Sequence, residues 1–357
     1  MDYVLAILAG LILFISLINF VSIRTPRASS AIAEKISVIV PLRNESENIA
    51  ELIQTLRSQK HLSDLEFLLL DDNSEDDTLA LLKQSCEDLE NFRVLSGSPL
   101  PQGWIGKTWA LQQLLQASRG QIIVSLDADV RLEPDAISCA VTLLKSSKLD
   151  FLSPYPTQLA YTWSEKIIQP LLQWSWMSTV ILRVAERSSS SSMVVANGQF
   201  FVVRKAALEQ VNGYETASNK VLDDVFLARA LVKNGSHGCV ANGAAIASTR
   251  MYSSWKEIQA GYGKSLHAAF GSAFGSVVAI VFLFLTGIAP LIAGITGSHI
   301  GWYAFGAVTL TRTMSAIKVG KNGLDAFLHP LSSALLIYLI IYSSVMRGRV
   351  QWKGRTI

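Results

Sequence analysis

Residues 121–131 read Gln121-Ile122-Ile123-Val124-Ser125-Leu126-Asp127-Ala128-Asp129-Val130-Arg131. The run Ile122 to Leu126 is apolar enough for a strand buried on both faces, and it ends in two carboxylates two residues apart. On an extended backbone residues i and i+2 point the same way, so Asp127 and Asp129 can face one point beyond the strand end. In open α/β sheets that is where ligands bind. Two hard oxygen donors suit Mg2+ or Mn2+, which would hold and neutralise a diphosphate. A solvated strand-to-loop turn accommodates the same residues, because aspartate is common in turns. The sequence on either side has to decide.

Upstream, the same pattern recurs. Ser37 to Pro41 is a strand leading into Leu42-Arg43-Asn44-Glu45, with a helical pattern after it at Glu51, Leu52, Ile53 and Leu56. Glu66 to Leu70 is a strand ending in Asp71-Asp72-Asn73-Ser74, followed by a helix from about Thr78 to Asp88. Phe92 to Leu95 is a third, short strand. Gly103 to Thr108 is a loop that opens a helix through Ser118. Strands and helices alternating through short links predict a largely parallel α/β sheet. Successive strand ends carry Asp or Arg-Asn-Glu groups, so polar side chains converge on one rim. Lys107 stands at a helix N-terminus, which favours anions. It is either a phosphate contact or an ordinary surface lysine beside the turn at Gly106.

Downstream, residues 150–196 fit the sheet less well. Trp163, Trp174, Trp176 and Met177 crowd together, and Pro170 to Leu182 is apolar nearly all round. This is either a core helix or one lying at a lipid surface. Arg187 with Ser188 to Ser192 reads as a loop. Val194 to Arg204 sets a polar Asn197-Gly198-Gln199 between apolar runs, and Asn197 and Gln199 can bond sugar hydroxyls. Asp223 and Asp224 fall in the first turn of a helix, where aspartates are commonly caps.

The chain of 357 residues has room for one large domain or two ordinary ones. Half of it is hydrophobic, only 17% is charged, and the mean hydropathy is +0.33, with the excess at the two ends. A net charge of +3 is too small to argue for nucleic acid, and no nucleic-acid partner is expected. Cys86, Cys139 and Cys239 lie far apart, which suggests a reducing compartment without a disulfide framework. Residues 3–23 carry no charge and are long enough to span a bilayer. Arg24, Arg27 and Lys35 follow directly, which reads as an anchor with its following side in the cytosol rather than as a signal peptide. Gly275 to Gly297 and Ala326 to Met346 are two further uncharged spans. Ile300 to Ile317 is short and contains Arg312. Three crossings would place Arg347, Arg349, Lys353 and Arg355 in the cytosol, whereas four would not. The expected organisation is an anchor at 1–24, an α/β domain at 33–250, an interfacial connector at 251–273, a transmembrane region at 274–347 and a basic tail at 348–357.

Val40-Pro41-Leu42-Arg43-Asn44-Glu45, Leu70-Asp71-Asp72-Asn73-Ser74 and Leu126-Asp127-Ala128-Asp129, in this order and spacing, resemble the family 2 glycosyltransferases of the GT-A fold. The resemblance covers about residues 36–260. It implies a Rossmann-like, mostly parallel sheet and an inverting enzyme that uses a nucleotide-sugar with Mg2+ or Mn2+. By this likeness Pro41, Arg43 and Glu45 line the nucleotide pocket and Asp72, or alternatively Asp71, binds the base. Asp127 sits near the ribose or sugar and, with Asp129, at the metal. Lys107, and Arg250 or Lys264, steady the diphosphate, while Asn197, Gln199 and Asp223 face sugar or acceptor. Asp224, the second member of an acidic pair whose first member is usually Glu, is the general base. The family's processive polysaccharide synthases carry Gln-x-x-Arg-Trp near residue 250, and this chain does not. Its Arg250-Met-Tyr, Trp255-Lys-Glu-Ile and Gly261-Tyr-Gly-Lys264, and the run Pro99 to Ala110, are similar to the hopanoid-associated and carotenoid (diaponeurosporenoate-type) subgroup. The implied enzyme is integral to a bacterial-type plasma membrane, has a cytoplasmic catalytic domain, and moves a hexose from UDP-glucose to a lipid acceptor. A polyprenyl-phosphate sugar synthase, a processive synthase and a non-catalytic membrane scaffold are the alternatives.

Overall fold

Strand β4 (Ile122–Leu126) takes the middle place in a seven-stranded sheet. In the computed structural model, which describes residues 1–346, 351–352 and 355–356, the sheet is built from β1 (Ile36–Leu42), β2 (Leu65–Asp71), β3 (Phe92–Ser96), β4, β6 (Phe151–Tyr155), β7 (Phe200–Arg204) and β8 (Gly238–Asn242). Their spatial order is β3-β2-β1-β4-β7-β6-β8. β3, β2, β1 and β4 are parallel, β7 runs antiparallel to both β4 and β6, and β6 is parallel to β8. A separate antiparallel pair joins β5 (Val130–Leu132) to β9 (Ala247–Thr249). Arg347, Arg349 and Lys353, which bear on the number of crossings and the basic tail, lie outside the described residues.

The unbroken apolar runs follow from burial on both faces. Val38, Val40, Phe67, Leu69, Ile122 and Val124 belong to the core on one side of the sheet. Their alternates Ile39, Leu68, Leu70 and Ile123 belong to the core on the other, the period-two pattern of a strand. Helix Ile49–Arg57 buries Ile49, Leu52, Ile53 and Leu56, one stripe at helical spacing. Helix Thr78–Cys86 ends two residues short of the expected Asp88, and helix Gly106–Ala117 begins inside the expected loop.

Strands β6 and β8 were not expected from the sequence. Pro154 lies inside β6, beside Ala241 of β8, and a proline inside an apolar run argues against an interior strand. Here the strand is buried throughout, because Phe151 and Leu152 pair with β7 and all five residues pair with β8.

The chain divides into two compact units: residues 24–157 with 184–249, and residues 1–23 with 158–183 and 250–357. The segment 158–183 falls inside the 33–250 range expected for the α/β domain but clusters with the helices. In the helical unit, Asp2–Ser22, Ala273–Ile295 and Leu324–Val345 are long and apolar enough to cross a membrane. Helix His299–Lys318 is 20 residues long but buries Thr309, Thr311, Arg312 and Ser315. Within this unit Trp174, Trp176 and Met177 of helix Pro170–Thr179 are buried, whereas Trp163 is exposed. Asn19, a polar residue in the first helix, donates through Nδ2 to the carbonyls of Met177 at 2.8 Å and Val180 at 2.6 Å.

Gly238 lies beside Phe151 in the β6–β8 register, and a Cβ there would run into the Phe151 ring. That ring is buried and stacks on Phe201. Gly238→Ala is expected to destabilise the protein by about 1–3 kcal/mol, read from its denaturation midpoint in detergent.

Candidate active site

Strand direction decides which polar residues meet. β1, β2 and β4 are parallel, so their carboxyl ends share a rim. β7 is antiparallel to β4, so the turn Asn197-Gly198-Gln199 preceding it arrives at that rim. Phe200 pairs with Leu126, and the Asp127 N–H donates to the Gln199 carbonyl at 3.1 Å.

At the end of β2, Asp71 and Asp72 are both buried. Asp71 Oδ2 accepts the Ser74 N–H at 3.3 Å, while its Oδ1 is buried without a hydrogen-bond partner. Arg43, just past β1, is buried too. Its guanidinium donates to the carbonyls of Asp72 and Asn73, each at 2.7 Å, and reaches Glu75 Oε1 at 3.0 Å. Arg43 therefore shapes the loop after β2. Asn44 and Asn73 take φ of 51° and 53°, the left-handed region that asparagine tolerates, and Asn44 Oδ1 ties the two loops by accepting the Glu75 N–H at 2.8 Å. Pro41 lies beside Leu70. Glu45 accepts from Asn48 Nδ2 at 2.8 Å.

At the end of β4, Asp127 Oδ1 meets Lys107 Nζ at 2.6 Å. Burial favours loss of the Lys107 proton, but the charges of Asp127, Asp223 and Asp224 outweigh it and raise the ammonium above its ordinary value. One cation thus serves acids from two parts of the chain. Asp129 Oδ2 accepts the Thr249 hydroxyl at 2.8 Å. Burial first, then the charges of Asp127 and Glu45, push the Asp129 carboxyl up to about 6. Thr249, at the end of β9, carries no local signal that it would hold an acid 120 residues away.

Asp224 sits in the first turn of helix Asp223–Lys233. Its Oδ2 accepts the Gly198 N–H at 2.6 Å and its Oδ1 accepts the Val225 N–H at 2.8 Å. A Cβ on Gly198 would stand 3.1 Å from the Asp224 Cβ, so glycine lets the backbone approach this close. Burial first, and Asp223 second, push Asp224 up to about 7, with Lys107 and the two N–H bonds pulling the other way. Asn197 and Gln199 hold the turn around Gly198. Asn197 Nδ2 donates to Gln199 Oε1 at 3.2 Å, Asn197 Oδ1 accepts the Gln199 N–H at 2.7 Å, and the Ser153 hydroxyl bonds both the N–H and the carbonyl of Asn197. Tyr214, also buried, stands in the field of Asp223, Lys107 and Asp127. Arg250 belongs to the helical unit, where its Nε pairs with Glu165 Oε1 at 3.0 Å and its guanidinium covers the Tyr161 ring.

Comparison with known proteins finds a family match over the segments that carry Arg43, Asp71, Asp72, Lys107, Asp127 and Asp129. Residues 37–211 match the family described as Glycosyl transferase family 2. The beta-monoglucosyldiacylglycerol synthase of Trichormus variabilis is 28% identical over 195 residues, covering 54% of this chain and 40% of that protein. The chain therefore spans about two fifths of the length of that relative. The 4,4'-diaponeurosporenoate glycosyltransferase of Staphylococcus haemolyticus is 22% identical over 348 residues, covering 90% of this chain and 88% of that protein. A mannosyltransferase from Pyrobaculum calidifontis, solved in complex with GDP-Man and Mn2+, superposes with a TM-score of 0.61 at 16% identity over 97% of this chain and 98% of its own. That likeness establishes a shared GT-A fold.

The environment of Asp224 has a consequence for stability. A carboxyl raised to about 7 in the folded protein, against about 3.9 in an unfolded chain, binds its proton more tightly when folded. Its stabilising contribution is complete below about pH 4 and is lost as the pH rises through 7. Asn at this position gives up one of the two acceptors that Asp224 offers to the Gly198 and Val225 N–H groups, which lowers the midpoint of Asp224→Asn by an amount independent of pH. On top of that offset the wild-type midpoint is expected to fall relative to the variant as the pH rises from about 4 to about 8, a trend that scanning calorimetry across that range measures.

Proposed function

We propose, for a chain whose residues 37–211 belong to glycosyl transferase family 2, that it moves a hexose from a nucleotide-sugar, UDP-glucose by our reading, to a hydroxyl group of a membrane lipid, with inversion at the sugar. The carrying observation is Asp224, pinned by the Gly198 N–H and sharing Lys107 with Asp127.

The donor fits the rim. Asp71 Oδ1, buried and without a partner, suits the imide N–H of a uracil ring. Among the described residues no three His, Cys, Asp or Glu side chains cluster as a metal site. Asp127 and Asp129 nonetheless form a pair of hard donors, and the raised proton affinity of Asp129 marks a position that positive charge would relieve. Mg2+ is commonly held by one or two carboxylates, with phosphate and water completing its shell. Asp127 and Asp129 would hold a Mg2+ or Mn2+, which would supply positive charge to a diphosphate, and Lys107, bonded to Asp127, would add to that charge.

Asp224 removes the acceptor proton as the acceptor oxygen attacks the anomeric carbon. The bond from that carbon to the diphosphate breaks on the opposite face, UDP leaves with the electron pair, and the configuration inverts. Each Asp224 oxygen accepts one N–H and keeps a lone pair for the proton. A base whose proton affinity is raised toward neutrality works best around neutral pH, and burial with the neighbouring Asp223 shifts Asp224 in that direction.

Two observations support a lipid acceptor. The relatives are named for a diacylglycerol and a diaponeurosporenoate, both long apolar bodies, and three helices are long and apolar enough to span a bilayer. Arg24, Arg27 and Lys35 after the first of them favour a cytosolic α/β unit.

The test is transfer of label from UDP-sugars into lipid extracted from membranes holding each variant. Asp224→Asn is expected to lower lipid labelling by about 10²–10⁴-fold. Label that persists in this variant would instead indicate an acceptor already ionised, a phosphate or carboxylate, which needs no base. Absence of label with every donor, in membranes that contain the native lipids, would overturn transfer itself. Gly198→Ala, which crowds Asp224 without removing it, is expected to fold, to lower kcat by roughly 10²-fold and to leave the donor KM near the wild-type value.

A further inference from the structure

The helical unit buries a cation with no acid beside it. Arg312, on helix His299–Lys318, is 3% exposed. Among the described residues its hydrogen bond goes to the ring Nδ1 of His329 at 3.4 Å, and no carboxylate lies within ion-pair distance. Asp325 is near enough to be felt electrostatically but not to pair. A buried guanidinium is ordinarily matched by a carboxylate or a set of acceptors.

The surroundings hold further polar groups without partners, several of them able to donate. The other ring nitrogen of His329 meets Ser333 Oγ at 3.4 Å. Trp174 stands edge-on to the His329 ring, 4.6 Å between centroids, and its own N–H is taken by Thr311 Oγ1 at 2.8 Å. One helical turn from Arg312, Ser315 Oγ is buried without a partner, and so is Ser332 Oγ one turn from His329. Both amide atoms of Gln169 are likewise buried and unpartnered. Gln169 is one turn from Gln173, which bonds the Ser315 carbonyl at 3.2 Å. Residues three or four apart share a helix face, so these groups lie on the faces that Arg312, His329 and Gln173 already turn toward one another. Buried polar groups in native proteins are nearly always bonded. Arg312, the Ser315 and Ser332 hydroxyls and the Gln169 NH2 group can all donate, and an acceptor-rich anion would satisfy them.

We infer that the helical unit binds the anionic headgroup of a membrane lipid, a phosphate or carboxylate held by the Arg312 fork with Ser315 and Ser332 as neutral donors. A guanidinium presents two parallel N–H groups to two such oxygens. The helices around it expose Phe284, Leu331 and Ile341 outward, an apolar exterior that brings lipid rather than solutes to the site. This site is independent of the glycosyl-transfer reading.

The experiment is thermal unfolding of the purified full chain in a neutral detergent with added phosphatidylglycerol, oleate, phosphatidylcholine or inorganic phosphate. Binding to the folded state alone raises the midpoint. Phosphatidylglycerol or oleate is expected to raise it by several degrees and phosphatidylcholine to leave it unchanged, and Arg312→Gln is expected to abolish the rise. Ser315→Ala with Ser332→Ala removes only unpartnered hydroxyls. That variant is expected to keep the lipid-free midpoint while weakening the rise at least about threefold in the lipid concentration needed, which decides the matter if Arg312→Gln does not fold. An equal response from wild type and both variants, or no response to either anionic lipid, overturns the site. A full rise with inorganic phosphate alone overturns the lipid assignment in favour of a soluble anion.

Discussion

A single ammonium group stands among three carboxylates. Lys107 meets Asp127 at 2.6 Å and lies in the field of Asp223 and Asp224. Unit charges about 4 Å apart interact by about 4 kcal/mol at an effective dielectric of 20, so the acids of the β4 end and of helix Asp223–Lys233 would otherwise push one another away. The same cation sets the balance at Asp224. Burial and Asp223 raise its proton affinity, Lys107 restrains it, and the result lies near neutrality.

Geometry at the rim depends on one reversal of strand direction. Were β7 parallel to β4, its preceding turn would lie at the far edge of the sheet. Because it is antiparallel, Gly198 is delivered to the carboxyl end of β4, where its N–H reaches Asp224. Asn197 and Gln199 spend their amides on fixing that turn, and Arg43 spends its guanidinium on the loop after β2. These residues act on the site by holding backbone in place, a role that side-chain type alone does not reveal.

In the helical unit the rare polar residues mark where helices meet. Asn19 bonds the carbonyls at the end of Pro170–Thr179, Trp174 bonds Thr311, and Arg312 meets His329. Polar groups inside spanning helices are costly and turn toward other helices or ligands. Asn19 finds its partners within the chain, whereas Arg312, Ser315 and Ser332 are left with groups to satisfy.

The strands β1, β2 and β4 and the acids at their ends were legible because the signals are local. An apolar run buried on both faces, closed by Asp-Asp or Asp-x-Asp, states its own direction and end, and the uncharged runs at 3–23, 275–297 and 326–346 likewise state their own length. Other features required the folded chain. β6 hid behind Pro154, which its neighbours β7 and β8 tolerate, and Thr249 shows no sign in sequence of its bond to Asp129. Lys107 could be placed on a helix N-terminus from sequence, but which acids it would face depends on how the strand ends stack. Sequence by itself determined the elements that need only their own residues: the buried strands, the acid-tipped rim and the apolar helices. The tertiary structure alone decided which donor meets which acceptor, because those partners lie tens to hundreds of residues apart and are chosen by strand order and direction.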